Sequence, residues 1–322
     1  MKIRFFSVMC FLITVTVISE NIGAAAEYVT YSLDNRRVYR IQVKNGAKPK
    51  DISKALNKLS KGTRDGLLNI SPNGAWLILV TDRFDAADTG EPALAIVSGN
   101  IRKGASVHSD GELIHPTGFG AVSSDGNLIV YPGDGGPHYQ DLWAVVRNGE
   151  NWSKPLLLTG GSPYQWNSQV AISADGSKVV FDGGNQPYAG EGTAVCEVGT
   201  GGAGFRVALT PADSPDGLPD IGALHHPDYA PDGSIVFEAD WSGERIWRLP
   251  VGATEPVLVG DFGNDNSPCV LPDGRIVSLW LDRQGNVNSF HEIKVMSTDG
   301  SAFKMLFIKK DVFDIGIGCG GK

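Results

Sequence analysis

The chain has 322 residues, 28 basic against 36 acidic side chains, a net charge of −8 and 42% hydrophobic residues. That length and apolar share suit one large globular domain and exclude a disordered chain. The acidic balance excludes a general nucleic-acid binder, which needs a basic face to meet phosphates.

Residues 1–26 read as a secretory signal peptide, with Lys2 and Arg4 giving the positive start, Phe5–Ile18 the apolar stretch and Ala24–Ala26 the small-residue cleavage site. The apolar stretch is short for a membrane span, and the sequence offers no other transmembrane candidate. Removing this leader leaves 26 basic and 35 acidic side chains on residues 27–322, a net of −9. We expect these residues to form one domain, exported to the periplasm or secreted.

The stretch Tyr28–Pro49, YVTYSLDNRRVYRIQVKNGAKP, matches Ile235–Pro256, IVFEADWSGERIWRLPVGATEP, nearly residue for residue. The exported chain therefore begins inside a repeat unit, at its second strand. Asp51–Gly62 follows, with Ile52, Leu56 and Leu59 on one helical face, and predicts a short helix started by Asp51. Lys50, Lys54, Lys58 and Lys61 belong to a run of seven cationic residues between Lys44 and Arg64. This run could dock an acidic partner or an anionic surface, with a solvated helix face as the alternative.

One phrase then recurs five times: SPNGAWLILV from Ser71, SSDGNLIVY from Ser123, SADGSKVVF from Ser173, APDGSIVFE from Ala230 and LPDGRIVSLW from Leu271. Asp-Gly or Asn-Gly between β-rich runs marks a hairpin, because glycine accepts the positive φ such turns need. The turn glycines, Gly74, Gly126, Gly176, Gly233 and Gly274, are spaced by 52, 50, 57 and 41 residues. One hairpin per period of this length means small sheets repeated about an axis, an all-β propeller. Asp314–Gly321, DIGIGCGG, alternates apolar and small residues and can supply the innermost strand that the first unit lacks. The sequence thus predicts a six-bladed β-propeller closed by strands from both termini, with five or seven blades as alternatives.

Six residues before each glycine stand Leu68, Gly120, Val170, Pro227 and Pro268, and four before it Ile70, Val122, Ile172, Tyr229 and Val270. These positions share one strand face, which we read as packed between blades. Between them stand Asn69, Ala121, Ala171, Asp228 and Cys269, which we place near the axis. The starts of the inner strands should line one channel mouth and offer Asp65, His115, Trp166, Asn167, His225, His226, Asp265, Asn266 and Asp314. Carboxylate and amide oxygens there suit calcium or another divalent cation, and imidazole suits zinc; a water-filled polar lining is the alternative. His225 and His226 point to opposite faces of a regular strand and could meet one ion only if the strand is bulged. Asp34, Asp82, Asp134, Asp182, Asp240 and Asp282 follow the second strands and read as turn-stabilising residues. Outside the leader the cysteines are Cys196, Cys269 and Cys319. We expect buried free thiols, with a Cys269–Cys319 disulfide as the alternative.

The segment Asn151–Gly184, the APDG and LPDG turns and the strand Ile246–Pro250, IWRLP, resemble the repeat of TolB-type propellers. The resemblance covers Tyr28–Gly321 and implies the fold without fixing one activity. It implies the propeller part alone, because TolB carries a further N-terminal α/β domain for which no room lies between the leader and the first unit. Relatives with this repeat include periplasmic scaffolds, propeller parts of peptidases and oligogalacturonate lyases. The chain has no Gly-x-Ser-x-Gly nucleophile elbow. The expected function is a monomeric, non-catalytic platform for an envelope or extracellular protein or a glycan. The alternative is a carbohydrate-active enzyme or a metal- or glycan-binding protein working at the channel mouth.

Overall fold

The computed structural model describes residues 26–33, 36–187, 190–215, 217–219, 222–259, 263–282, 290–308 and 316–321. The leader lies outside them except for Ala26, and so does Asp314. Six sheets follow one another, and the innermost strand of each packs against that of the next, so the ring is closed. Blade 1 runs outward from Ile317–Gly321 through Glu27–Leu33 and Arg37–Gln42 to Lys50–Asp51. Blade 2 begins with Asp65–Ile70 and Trp76–Thr81, and blade 4 with Trp166–Ile172 and Lys178–Gly184. Blade 5 begins with Leu224–Tyr229 and Ile235–Ala239, and blade 6 with Asp265–Val270 and Ile276–Asp282. Blade 3 is irregular: its inner strand is only Ala121–Val122, followed by Leu128–Gly133 and Asp141–Asn148.

The repeated turns form as their residues dictate. Each turn glycine has φ between 68° and 87°, and its N–H donates to the carbonyl three residues back at 2.8–3.0 Å. Where serine opens the turn it stitches both ends: Ser173 Oγ donates to Asp175 Oδ1 at 2.6 Å and accepts from Lys178 N at 2.9 Å. The Ser173 hydroxyl, with help from Ser177, holds the Asp175 carboxyl down at about 2. Apolar residues on the two faces of each sheet meet those of its neighbours, giving six apolar clusters among the described residues, one at each interface between blades. Stability is therefore distributed around a circle, and every interface depends on both neighbours being present.

The circle closes at Ile317–Gly321, which pairs antiparallel with Glu27–Leu33 in the register Glu27–Gly321 to Tyr31–Ile317. The run Gly-Cys-Gly-Gly is needed here because the strand is squeezed against blade 2. A Cβ on Gly318 would lie 2.3 Å from Asn69 Oδ1, and one on Gly320 would lie 2.2 Å from the Ser71 carbonyl oxygen. Gly321 N donates to the Pro72 carbonyl at 3.0 Å, tying the closing strand to the blade 2 turn.

Two sequence expectations are corrected. Cys269 and Cys319 are not free thiols but a disulfide, with Cα atoms 5.5 Å apart on the innermost strands of blades 6 and 1. Two adjacent inner strands with a cysteine at the same axial position bring their side chains within bonding reach. Cys196 is a free, buried thiol, and burial raises its pKa well above the ordinary value. The helix predicted over Asp51–Gly62 spans only Ser53–Leu56. Arg83 explains the early stop, because its guanidinium takes the Ser60 carbonyl at 2.7 Å and Asn57 Oδ1 at 2.8 Å. Asp51 does cap the start, with Lys54 N donating to its Oδ1 at 3.2 Å. No helix among the described residues is long and apolar enough to cross a membrane.

Opening the closure should cost much of the stability. In urea unfolding, Cys319→Ser is expected to lower the unfolding free energy by about 2–5 kcal/mol. Gly320→Val should lower it further, since its Cβ has no space. Urea midpoints unchanged in both variants would show that the ring does not rely on this strand.

Candidate functional site

Four inner strands share one irregularity. Between Gly66 and Asn69, Ser168 and Ala171, His225 and Asp228, and Asn266 and Cys269, two residues oppose one on the neighbouring strand. The first residue of each bulge is left-handed: Leu67, Gln169, His226 and Ser267, with φ of 47–50°. Such a bulge bends the strand and re-aims a side chain. In blades 4, 5 and 6 the re-aimed residue borders a central cavity of about 400 Å³.

This cavity occupies the half of the channel nearest the repeated turns. Its rim is built from Pro72, Pro231 and Pro272 of those turns, and its wall from Val170, Ile172, Tyr229 and the Cys269–Cys319 bridge. Few polar groups face it: Asn69, Gln169, His226, Asp228 and Ser267 are the principal ones. Asn69 and Asp228 hold the same axial position in blades 2 and 5 and clamp neighbouring blades in opposite polarity. Asn69 Nδ2 donates to the Gly120 carbonyl at 2.8 Å, whereas Asp228 Oδ2 accepts from Val270 N at 2.8 Å. The partners decide the residue: the Gly120 carbonyl requires the amide donor, whereas N–H groups on both side-chain atoms, Tyr229 N on Oδ1 and Val270 N on Oδ2, require two acceptor oxygens. Burial pushes the Asp228 carboxyl up to about 7, against the opposing pull of the Val270 and Tyr229 N–H groups.

The residues predicted for the channel mouth do not assemble into one site. Asp65 is fully buried and spent on Arg83, whose Nε and Nη2 each lie 2.7 Å from one of its oxygens, with Thr81 Oγ1 also 2.7 Å away. Asp265 is likewise buried, with Lys294 Nζ at 2.5 Å and Ser278 Oγ at 2.8 Å. Burial holds the Asp265 carboxyl above, and the Lys294 ammonium below, their ordinary values, each against the attraction of the other. Asn167 is buried and held by Ser162 Oγ at 2.8 Å and by the Gln140 carbonyl at 3.0 Å. His115 is exposed, with Nδ1 2.8 Å from the Pro92 carbonyl. Of these candidates His226 alone, among the described residues, borders the cavity.

His226 is the first residue of the blade 5 bulge, and His225 is the paired residue just before it, opposite Glu238. The rings stand 6.2 Å apart at 68°. His226 Nδ1 is 3.3 Å from Glu238 Oε2, and Asp182 of blade 4 lies near both histidines. Burial raises the Asp182 pKa against the opposing pull of its hydrogen bond from Ser168, and its Oδ2 has no hydrogen-bond partner among the described residues. Asp182 thus departs from the turn-stabilising role, and so does Asp82, which instead ties its turn to the segment before the inner strand by accepting Thr63 N at 2.8 Å and Arg64 N at 3.0 Å. Asp134 is exposed, and Asp34 lies outside the described residues. Among the described residues, no group of three or more His, Cys, Asp or Glu side chains is placed to hold a metal ion.

Lys50, Lys54, Lys58 and Lys61 are all exposed on the crossing from blade 1 to blade 2, away from the cavity. Of these, Lys54 is 3.7 Å from Asp51. Gln169, Ser267 and Phe119 were missed as cavity residues. Nothing in Gln, His or Ser marks a left-handed bulge, and only the constant spacing of seven residues before each turn glycine could have signalled it.

No family profile and no curated protein match this sequence. Solved structures do match its shape. TolB of Acinetobacter baumannii superimposes with a TM-score of 0.61 at 12% identity, over 92% of this chain and 66% of the other. The chain folds as a TolB-like propeller. A protein assigned as TolB from Agrobacterium tumefaciens matches with a TM-score of 0.57 at 16% identity, over 93% of this chain and 99% of the other. A puromycin-hydrolysing peptidase of Mycobacterium tuberculosis matches with 0.53 at 13% identity, over 89% of this chain and 43% of the other. At these identities the likeness concerns the fold, and this chain spans just under two thirds of the Acinetobacter protein.

Two outcomes follow from these placements. Arg83→Met leaves the Asp65 carboxylate buried and unpaired, and is expected to cost about 3–5 kcal/mol in urea unfolding. Asp228 holds a proton in the folded state up to about pH 7, but in the unfolded chain only to near 3.8. The native state therefore binds more protons between those values, and the stability contributed by this group falls as pH rises through that window. Asp228→Asn does not titrate and presents a donor to the Val270 N–H. By calorimetry it should melt below the wild type at pH 4, and the gap should narrow by roughly 2–6 °C at pH 8. A gap independent of pH would contradict this reading.

Proposed function

We propose that the chain is an extracytoplasmic, non-catalytic binding platform whose central cavity receives an apolar group of a partner protein. The observation that carries this reading is the cavity: about 400 Å³, walled by prolines, valine, isoleucine and tyrosine, with a handful of polar groups to orient what enters. Two residues expected to hold a ligand at the other mouth support it from that side. Asp65 and Asp265 are engaged inside the blades with Arg83 and Lys294.

Three features support export. The leader-like segment has a positive start and a small-residue cleavage site. The Cys269–Cys319 bridge belongs in an oxidising compartment. The propeller also resembles that of TolB. The partner is an envelope or extracellular protein, and an acidic partner could in addition use the Lys50–Lys61 face.

The test fills the cavity. Ala171 lines it at an axial position, and Ala171→Trp occupies it without touching the outer surface of the ring. Cross-linking of the tagged protein in its native envelope or secretome is expected to recover one partner in near-equal amount. With Ala171→Trp recovery should fall about tenfold or more, while circular dichroism and melting temperature stay close to wild type. A partner recovered equally well with the cavity filled would remove the proposal.

A further inference from the structure

Away from the central cavity, the junction of blades 3 and 4 carries two stacked aromatic rings, Tyr139 exposed and Trp166 half-buried. Tyr139 is 69% exposed, in the loop between the second and third strands of blade 3. Its ring stacks on Trp166 at the start of blade 4, with centroids 5.7 Å apart and planes within 25°. Neither ring carries a cation, and no other aromatic ring covers them among the described residues.

The pair is held in place from both sides. Gln140 and Trp166 form a parallel bridge, in which Gln140 N donates to the Gln165 carbonyl at 3.1 Å and Asn167 N donates to the Gln140 carbonyl at 3.1 Å. The Gln140 side chain is fixed in turn by donating to Thr117 Oγ1 at 2.7 Å. On the other side of Tyr139, the His138 ring is locked by the fully buried Asp141. Nδ1 lies 2.7 Å from Asp141 Oδ1, and His138 N donates to Oδ2 at 3.1 Å. Thr159 Oγ1 donates to the same carboxylate at 2.6 Å. Gly136 passes so close that a Cβ there would lie 2.1 Å from Asp141 Oδ2. With Nδ1 turned to the carboxylate, Nε2 is the ring nitrogen left to meet a hydroxyl group. Nε2 has no protein partner among the described residues and is not sealed from water.

We propose that this is a subsite for a neutral saccharide. A pyranose ring carries C–H bonds on its faces and hydroxyl groups around its edge. The C–H face suits the electron-rich face of an aromatic ring, and the edge needs uncharged donors and acceptors. The junction supplies both: two near-parallel rings, in a segment that also carries His138, Gln140, Gln165 and Asn185. The Asn185 side chain reaches the start of blade 4, its Oδ1 3.4 Å from Gln165 N. Among the described residues no lysine or arginine is bonded to any of these groups, and exposed Asp134 opens the same loop, which disfavours an acidic glycan. The rigid backbone bridge means that little ordering is needed on binding. The site is distinct from the central cavity, and it stands or falls independently of the channel reading.

The probe is a set of neutral hexasaccharides: maltohexaose, cellohexaose, xylohexaose and chitohexaose, titrated into the purified protein. Tryptophan fluorescence and saturation-transfer NMR report binding. At least one is expected to bind with Kd on the order of 0.1–1 mM. Tyr139→Ala and Trp166→Phe should each weaken that binding, the first by about tenfold, and His138→Ala by several-fold. Tyr139 is mostly exposed, so Tyr139→Ala should fold as the wild type does, which a melting curve checks. No binding by any of the four up to about 10 mM would overturn the proposal. So would binding unchanged in both Tyr139→Ala and Trp166→Phe. A Tyr139→Ala variant that changes the sedimentation of the protein alone and no saccharide titration would overturn it in favour of a protein contact.

Discussion

Everything in this propeller depends on one short strand being thin enough. The closing strand Ile317–Gly321 must slide between Glu27–Leu33 and the first turn of blade 2, where a methyl group at Gly318 or Gly320 would collide with Asn69 or the Ser71 carbonyl. Only then do both edges of Glu27–Leu33 find partners, and only then does the sixth apolar interface form, between blades 6 and 1. The Cys269–Cys319 bond sits at that seam and covalently joins the last full blade to the strand that completes the first. The apolar cavity inherits its shape from the same seam, because both cysteines form part of its wall.

The channel is divided by the bulges. On one side of them two of the inner strands start with aspartates that are fully engaged inside the blades, Asp65 with Arg83 and Asp265 with Lys294. On the other side lie the turn prolines and the apolar wall. The bulged residues Gln169, His226 and Ser267 mark the boundary and give the cavity a polar floor. A left-handed conformation at a non-glycine residue costs on the order of 1–3 kcal/mol. It recurs in four blades because the same bend is needed each time the inner strand turns toward the axis.

Architecture was legible in the sequence because it rests on local chemistry repeated five times. The Ser-x-Asp-Gly turns, the apolar faces and the match between Tyr28–Pro49 and Ile235–Pro256 all act over a few residues, and together they specify six blades. The site was much less legible. Asp65 and Asp265 look like mouth residues by position, but their fate depends on Arg83 and Lys294, which sit 18 and 29 residues away and carry no motif. Asp228 could be placed at the axis from spacing alone, yet its need for a carboxylate comes from an N–H on the next blade. The disulfide was visible only as an option, because cysteine spacing does not reveal which strands end up side by side. His138 gave no signal, since only the folded loop brings its ring onto Asp141.

The pairing of Glu27–Leu33 with Ile317–Gly321 also dictates an order of events. These strands come from opposite ends of the chain, so Thr30 and Gly318, which share a hydrogen bond, are 288 residues apart in sequence. A chain made or exported from its N-terminus must hold the first three strands of blade 1 with one edge unsatisfied until Ile317–Gly321 follows. Blades 2 to 5 can assemble as they emerge, but the ring cannot lock before that strand is in place. During that interval the waiting edge is a template for any extended chain. The charged first residue of this edge strand, Glu27, with its ion-pair partner Arg275 on blade 6, falls where a foreign strand would have to begin.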